Sequence, residues 1–152
     1  MIKVVDGDLL CSDAPYICHQ VNCMGVMGAG IAKQIKTKHP NVFFEYRTLC
    51  ERYKDDPAHL LGSAQVIPTS RTEGAPCICN LFGQVGYARH SVQTNLAALQ
   101  KACERVVSIT DPDQLIAMPY RIGCGLAGGD WGKVMDMLVE VFKERTLQLY
   151  KL

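Results

Sequence analysis

Two glycine-rich stretches hold the residue types that would bind an anion. The first reads His-Gln-Val-Asn-Cys-Met-Gly-Val-Met-Gly-Ala-Gly-Ile over residues 19–31, with glycines spaced as Gly25-x-x-Gly28-x-Gly30. Glycine lacks Cβ, so it admits positive φ and lets a ligand approach the backbone closely. Where such a turn enters a helix, its N–H groups attract phosphate. We interpret the stretch as a phosphate-binding loop, or alternatively as a tight strand-to-helix turn.

The second stretch, Gly-Cys-Gly-Leu-Ala-Gly-Gly over residues 123–129, also follows an apolar run and precedes an amphipathic segment. The first stretch has neither the spacing of a dinucleotide fingerprint nor the Gly-Lys-Ser/Thr of a Walker loop. Two such loops side by side would clamp one elongated anion, such as a diphosphate.

Alternating strands and helices are predicted to position these loops. The apolar patterns predict strands over 2–5, 15–21, 62–68, 77–82, 115–119 and 146–152, and helices over 32–38, 40–53, 92–106 and 131–142. Ser91 is the predicted N-cap of the third helix. The alternation predicts one α/β domain over residues 1–152, a three-layer α/β/α sandwich around a mixed, largely parallel six-stranded sheet. Ligands of such sheets bind beyond the carboxyl ends of the strands.

Composition argues against several classes of partner. Sixteen basic and fifteen acidic residues give a net charge of +1, so no global field favours stable nucleic-acid binding or a membrane surface. No apolar run reaches transmembrane length and the N-terminus does not read as a signal peptide, so we expect a cytoplasmic monomer.

Eight cysteines stand mostly inside apolar runs and are interpreted as small buried hydrophobes in a reducing compartment. His19 with Cys23, or Cys77 with Cys79, lacks the spacing of a zinc site. We therefore expect no metal and no cofactor.

Three motifs in this order resemble the macro domain, the ADP-ribose-binding fold. They are Gly-Asp-Leu at 7–9, the stretch at 19–31, and Pro-Tyr-Arg-Ile-Gly-Cys-Gly-Leu-Ala-Gly-Gly-Asp-Trp at 119–131. The resemblance covers essentially the whole chain. It is greatest to the compact, single-domain branch of bacteria and phages, akin to ADP-ribose-1″-phosphate phosphatases and ADP-ribosyl-glutamate hydrolases. It implies ADP-ribose or an ADP-ribosylated macromolecule as the partner.

The resemblance also implies the ligand-binding residues. Asp8 would accept a hydrogen bond from the adenine amino group, or is simply a turn aspartate. Asn22 would meet the distal ribose, or caps the loop backbone. Tyr87 would stack on a sugar and Arg89 would meet a phosphate, or is solvated. The full implied set is Asp8, Leu9, Asn22, Gly25, Val26, Met27, Gly28, Ala29, Gly30, Ile31, Tyr87, Arg89, Gly123, Cys124, Gly125, Leu126 and Ala127.

Asn22, His19 and Asp130 are the candidate catalytic residues. Asn22 would orient the distal ribose, and Asp130 or His19 would position or deprotonate a water. A histidine in an apolar strand is alternatively a core residue, and Asp130 is alternatively the N-cap of the last helix.

The sequence departs from the resembled enzymes at the residues that carry their mechanisms. Gln84 stands near the position of a nucleophilic lysine, Ala127 stands where one group has an aspartate, and the first loop has no aspartate. Two hypotheses remain, a hydrolase acting at the distal ribose and a reader that binds ADP-ribose without turnover. A general binder of nucleotide metabolites is a third.

Overall fold

Six strands form one sheet in the computed structural model, which describes residues 1–88 and 91–152. They are β1 (Ile2–Asp6), β2 (Tyr16–Val21), β3 (Ala64–Pro68), β4 (Cys77–Phe82), β5 (Ile116–Pro119) and β6 (Leu147–Lys151). Their order across the sheet is β1-β6-β5-β2-β4-β3. Neighbouring strands pair in parallel except at the edge, where β3 runs antiparallel to β4. The predicted mixed, largely parallel sheet is confirmed.

In the part of the chain that the structure describes, four α-helices cover the two faces of the sheet. They are α1 (Gly30–Lys38), α2 (Pro40–Arg52), α3 (Leu96–Ile109) and α4 (Trp131–Val141), and short 3-10 helices occupy Leu9–Cys11 and Pro57–Leu60. α3 and α4 bury Leu99 and Leu138 against one face of the sheet. α1 and α2 bury Ile35 and Tyr46 against the other face. The predicted three-layer sandwich is therefore confirmed. No helix within the described residues is long and apolar enough to cross a membrane.

The start of α3 differs from the prediction. Asn95, not Ser91, is the N-cap, and its side chain accepts a hydrogen bond from the N–H of Ala98 at 3.0 Å. Residues 93 and 94 instead donate their N–H groups to the carbonyl of Ala127, which holds the segment extended. Val92, predicted to lie on the buried helix face, is 68% exposed. A contact made far along the chain thus overrides the local capping signal.

The sheet topology brings the two glycine loops together. β2 lies between β4 and β5 and is parallel to both, so the carboxyl ends of β2 and β5 meet at one edge. The first loop follows β2 and the second follows β5. This is the edge at which ligands of open α/β sheets bind.

A buried arginine closes the opposite end of the fold. The Arg145 guanidinium donates to the carbonyls of Val107, Asp111 and Gln114 and to the hydroxyl of Thr110, at 2.8 to 3.2 Å. These groups lie at and beyond the last turn of α3, where helix carbonyls have no partner within the helix. Arg145 thereby fastens the connection from α3 to β5.

We predict that Arg145→Ala lowers the free energy of unfolding by about 3 kcal/mol, because several buried oxygens lose their donor. The exposed Arg105→Ala on α3 is the matched control and is expected to change it by less than about 0.5 kcal/mol. Urea denaturation followed by circular dichroism measures both. Equal stabilities of the two variants would contradict the role assigned to Arg145.

Candidate functional site

A cavity of about 480 Å³ opens between the two glycine loops at the carboxyl edge of the sheet. Its walls come from the end of β2, the first glycine loop, the start of α1, the segment after β4 and the second glycine loop. The lining residues are Gln20, Val21, Asn22, Val26, Gly28, Ala29, Gly30, Ile31, Ala32, Gln84, Tyr87, Gln93, Pro119, Arg121, Ile122, Gly123, Gly125, Leu126 and Ala127.

The side chain of Asn22 shapes the first loop. Its Oδ1 accepts hydrogen bonds from the N–H groups of Met24 at 2.9 Å and Val26 at 3.3 Å, and its Nδ2 donates to the carbonyl of Val26 at 2.8 Å. The Tyr46 hydroxyl also donates to Asn22 Oδ1, at 2.8 Å. One N–H of the amide remains for a ligand. Both readings of Asn22, loop cap and ligand contact, are therefore compatible with its geometry.

The N-terminus of α1 forms the anion-attracting wall of the cavity. Gly30, Ile31 and Ala32 line the cavity, and the N-cap residue Ala29 makes no side-chain capping bond. Uncapped N–H groups and the positive end of the helix dipole therefore face the same space. Gly30 has a φ of 57°, which glycine adopts without strain.

A polar network ties the second loop to the end of β2. Gln20 Nε2 donates to Gln84 Oε1 at 2.7 Å and to Thr94 Oγ1 at 2.9 Å. The Thr94 hydroxyl donates in turn to the carbonyl of Gly123 at 2.6 Å. The floor of the cavity and its second glycine loop are thus one hydrogen-bonded unit.

The charge of the lining side chains favours an anion. Arg121, exposed and with a φ of 63°, is a basic residue of the cavity lining. Within residues 1–88 and 91–152, no carboxylate, lysine or imidazole lines the cavity. In the same ranges, no group of three His, Cys, Asp or Glu side chains is placed to hold a metal. Among the described residues, the polar groups that the lining offers to a ligand are backbone N–H groups, amide side chains and one arginine.

A family model described as the macro domain matches residues 18–138. The chain belongs to the macro domain family. A DNA ADP-ribosyl glycohydrolase of Mycobacterium tuberculosis is 31% identical over 144 residues, which are 95% of this chain and 39% of that protein. An ADP-ribose 1″-phosphate phosphatase of Debaryomyces hansenii is 26% identical and matches 91% of this chain and 92% of its own length.

Solved macro domains share the fold over the entire chain. The macrodomain of Mycobacterium tuberculosis DarG superposes with a TM-score of 0.83 at 28% identity, covering 100% of this chain and 98% of that one. The macrodomain of Thermus aquaticus DarG superposes with a TM-score of 0.80 at 23% identity, covering 100% and 99%. The chain spans about two fifths of the mycobacterial glycohydrolase that it resembles.

Most of the predicted ligand residues meet in the cavity of this macro domain. Those that line it are Asn22, Val26, Gly28, Ala29, Gly30, Ile31, Tyr87, Gly123, Gly125, Leu126 and Ala127. Gly25 and Met27 lie in the first loop but line a second cavity behind it. Cys124 is in the second loop but not among the lining residues. Arg89 lies outside the residues that the structure describes.

Asp8 and Leu9 lie beside the cavity rather than in it. The Asp8 carboxylate accepts the N–H of Leu10 at 2.9 Å and caps the short 3-10 helix that follows β1. It also lines a neighbouring hollow of about 380 Å³, together with Lys33 and Lys38 of α1. Leu9 is buried in the core. The structure thus shows Asp8 as a turn residue, whereas its contact with adenine stays a prediction.

His19 does not reach the cavity. Its side chain is fully buried, and Nε2 lies 2.6 Å from Asn80 Oδ1, which the Nε2–H tautomer satisfies. Burial lowers the pKa of His19 to about 4, and the hydrogen bond with Asn80 opposes the shift. The geometry thus supports the alternative reading, a neutral core histidine, and gives no support to a catalytic role.

Asp130 is the N-cap of α4. Its carboxylate accepts the N–H of Lys133 at 3.3 Å, and the residue is exposed and not among those that line the cavity. Of the two interpretations of Asp130, the structure therefore shows the helix N-cap.

Gln20, Gln84, Gln93 and Arg121 line the cavity but were absent from the predicted ligand set. For two of these four residues, the sequence position itself indicates a place near the glycine loops. Gln20 interrupts an apolar strand two residues before Asn22, so both side chains point to the same face. Arg121 lies in the short segment between the predicted strand that ends at residue 119 and the second glycine stretch that begins at residue 123.

We predict that Gly123→Ala lowers the free energy of unfolding by about 1–2 kcal/mol, because Gly123 has a φ of 74°. Its Cβ would also approach Gln20 Oε1 to 3.0 Å. Gly125→Ala in the same loop is the control, since a Cβ there meets no atom of the described residues within 4 Å. Thermal and urea unfolding measure both variants. A decrease in the free energy of unfolding as large in Gly125→Ala as in Gly123→Ala would contradict the conformational strain assigned to position 123.

The pKa of His19 predicts how stability depends on pH. An unfolded imidazole takes up a proton near pH 6.5, whereas the folded one stays neutral to about pH 4. The free energy of unfolding should therefore fall as the pH drops from 6.5 to 4, by about 3 kcal/mol over the window. In the His19→Gln variant the free energy of unfolding should change less between pH 6.5 and pH 4, whatever the stability of the variant at pH 7. An unchanged slope in the variant would rule out His19 as the source.

Proposed function

We propose that this macro domain, acting as one unit over residues 1–152 in the cytoplasm, binds ADP-ribose in the cavity between its glycine loops. The observation that supports this proposal is that the uncapped N-terminus of α1 and Arg121 line one cavity of about 480 Å³. The diphosphate would lie against the helix N-terminus. The free N–H of Asn22 would donate to a distal ribose hydroxyl. The volume is that of an ordinary small-molecule site.

We further propose that the bound ligand is hydrolysed at C1″ of the distal ribose. The C1″–O bond breaks with its electron pair leaving on the oxygen, and water adds to C1″ and releases a proton. Such reactions pass through an oxocarbenium-like state. A carboxylate or phosphate leaves as a stable anion, so it needs little help from a general acid. A site built from backbone N–H groups and amides therefore suits an ADP-ribosyl ester or ADP-ribose-1″-phosphate.

The similarity to proteins named as an ADP-ribosyl glycohydrolase and a phosphatase supports this proposal. Asn22 would act by positioning the ribose. No water-activating role is proposed for His19 or Asp130, because neither lines the cavity.

The second candidate function is a reader of ADP-ribose without turnover. It is favoured by one observation, namely that no carboxylate, lysine or imidazole among residues 1–88 and 91–152 lines the cavity. General acid–base groups commonly contribute about 10²–10⁴-fold to such hydrolyses.

Titration calorimetry with ADP-ribose, followed by incubation with ADP-ribose-1″-phosphate, tests both candidates. Leu126→Glu should lower the affinity for ADP-ribose at least tenfold, because it puts a negative charge on the cavity wall at a residue that is 59% exposed. Val139→Glu, at a 54% exposed position on α4, is the matched control and should bind normally.

Release of inorganic phosphate by the wild type, lost in Leu126→Glu, would support the hydrolase. Binding without release would support the reader. An absence of heat with ADP-ribose would contradict both.

A further inference from the structure

Tyr46 is a polar residue of α2 that is fully buried and does not line the cavity between the glycine loops. Its ring packs against Phe43, with the ring centroids 6.5 Å apart, and against Phe82 at 5.9 Å. The helical spacing of the sequence places Tyr46 on an apolar face, where a phenylalanine would make the same ring contacts. Burying a hydroxyl is unfavourable unless the group is hydrogen-bonded, so ring packing alone does not explain this one.

The hydroxyl of Tyr46 joins the backbone and the side chain of Asn22. Its proton is shared between the Asn22 carbonyl oxygen at 2.7 Å and Asn22 Oδ1 at 2.8 Å. Both contacts are buried and connect α2 to the residue that directly follows β2. Because one hydroxyl holds two oxygens of the same residue, it restrains the Asn22 side chain relative to its own backbone.

The hydrogen bonds of the Asn22 amide decide what it can offer a ligand. Oδ1 accepts from the N–H groups of Met24 and Val26 as well as from Tyr46, and an amide oxygen has two lone pairs. Nδ2 donates one N–H to the Val26 carbonyl and keeps the second. Asn22 lines the cavity and thus presents a donor there rather than an acceptor. Of the three donors to Oδ1, two belong to the loop itself, whereas Tyr46 holds the amide from a separate helix.

We propose that Tyr46 is a positioning residue for the distal ribose: by holding the amide plane of Asn22, it aims the free Nδ2–H at a ribose hydroxyl. Resting on the proposed function, this gives Tyr46 a part in recognising the ribose without any contact with the ligand. When the hydroxyl is removed, the three hydrogen bonds between the Asn22 side chain and its own loop remain, so the loop keeps its shape for the diphosphate. The amide then turns more freely, and its bond to the ribose weakens.

Titration calorimetry of Tyr46→Phe with two ligands tests the proposal. ADP-ribose contains the distal ribose, whereas ADP ends at the diphosphate. The affinity for ADP-ribose should fall about fivefold, which is the effect of weakening one hydrogen bond, and the affinity for ADP should stay within about twofold of the wild type. A loop that is merely loosened would lose affinity for both ligands alike. The expectation is the same whether the bound ligand is hydrolysed or not.

Tyr53→Phe is the matched control. It removes the same hydroxyl from a tyrosine at the C-terminal end of α2, where the ring stacks on His59 with the centroids 4.8 Å apart. This variant should bind ADP-ribose and ADP like the wild type. In the unliganded protein, the side-chain amide protons of Asn22 should exchange faster with water in Tyr46→Phe than in Tyr53→Phe, which nuclear magnetic resonance measures without any ligand.

A double-mutant cycle shows whether Tyr46 acts through Asn22. Asn22→Ala alone should weaken binding of both ligands, because the loop loses three hydrogen bonds. Adding Tyr46→Phe to Asn22→Ala should cause no further loss of affinity for ADP-ribose, because the amide that Tyr46 positions is already absent. Urea unfolding establishes that each variant is folded at the temperature of the titration.

Equal losses of affinity for ADP-ribose and ADP in Tyr46→Phe would overturn the proposal, as would equal exchange of the Asn22 amide protons in Tyr46→Phe and Tyr53→Phe. A further loss of ADP-ribose affinity when Tyr46→Phe is added to Asn22→Ala would also overturn it. Unchanged ADP-ribose affinity in Tyr46→Phe, with normal binding by the wild type, would overturn this inference alone. An absence of heat from the wild type with ADP-ribose would overturn the proposed function and this inference with it.

Discussion

The amide side chain of Asn22 holds the first glycine loop in the shape on which both cavities depend. It is buried to 93%, and three hydrogen bonds join it to the backbone of Met24 and Val26. Burial raises the pKa of Tyr46, so its hydroxyl stays protonated, and its single proton is shared between the carbonyl oxygen of Asn22 at 2.7 Å and Asn22 Oδ1 at 2.8 Å. Because Tyr46 belongs to α2, this contact fixes the loop relative to that helix. One polar side chain thus joins the end of β2, the glycine loop and the second helix.

The cavity between the loops attracts anions with fixed dipoles more than with charged side chains. The start of α1 supplies N–H groups without a side-chain cap, and the Gln20–Thr94–Gly123 network fixes the opposite loop. Such groups need no reorganisation when a charged ligand arrives. Fixed dipoles of this kind would let a chain with a net charge of +1 hold the diphosphate of the proposed ligand.

The sequence predicted the parts of this structure that depend on local spacing. The glycines of both loops, the strands that precede them and the two possible roles of Asn22 follow from residue types within a few positions. The start of α3 does not, since Asn95 replaces Ser91 as the cap where residues 93 and 94 bond to the carbonyl of Ala127 and the N–H of Asn95 bonds to the carbonyl of Gly83. For His19, the sequence left a catalytic and a core interpretation open, and the burial of its side chain beside Asn80 supports the core one. Strand alternation puts the His19 and Gln20 side chains on opposite faces of β2, so only one of them can point towards the face of Asn22.

Backbone amide chemical shifts measured during titration with ADP-ribose would show whether the two glycine loops form one diphosphate site. We predict that the largest changes fall on residues 22–31 and 121–127, at both sides of the cavity, with small changes on α4 beyond its first turn. Changes confined to one loop, or centred on another part of the surface, would contradict a diphosphate site formed by the two glycine loops together.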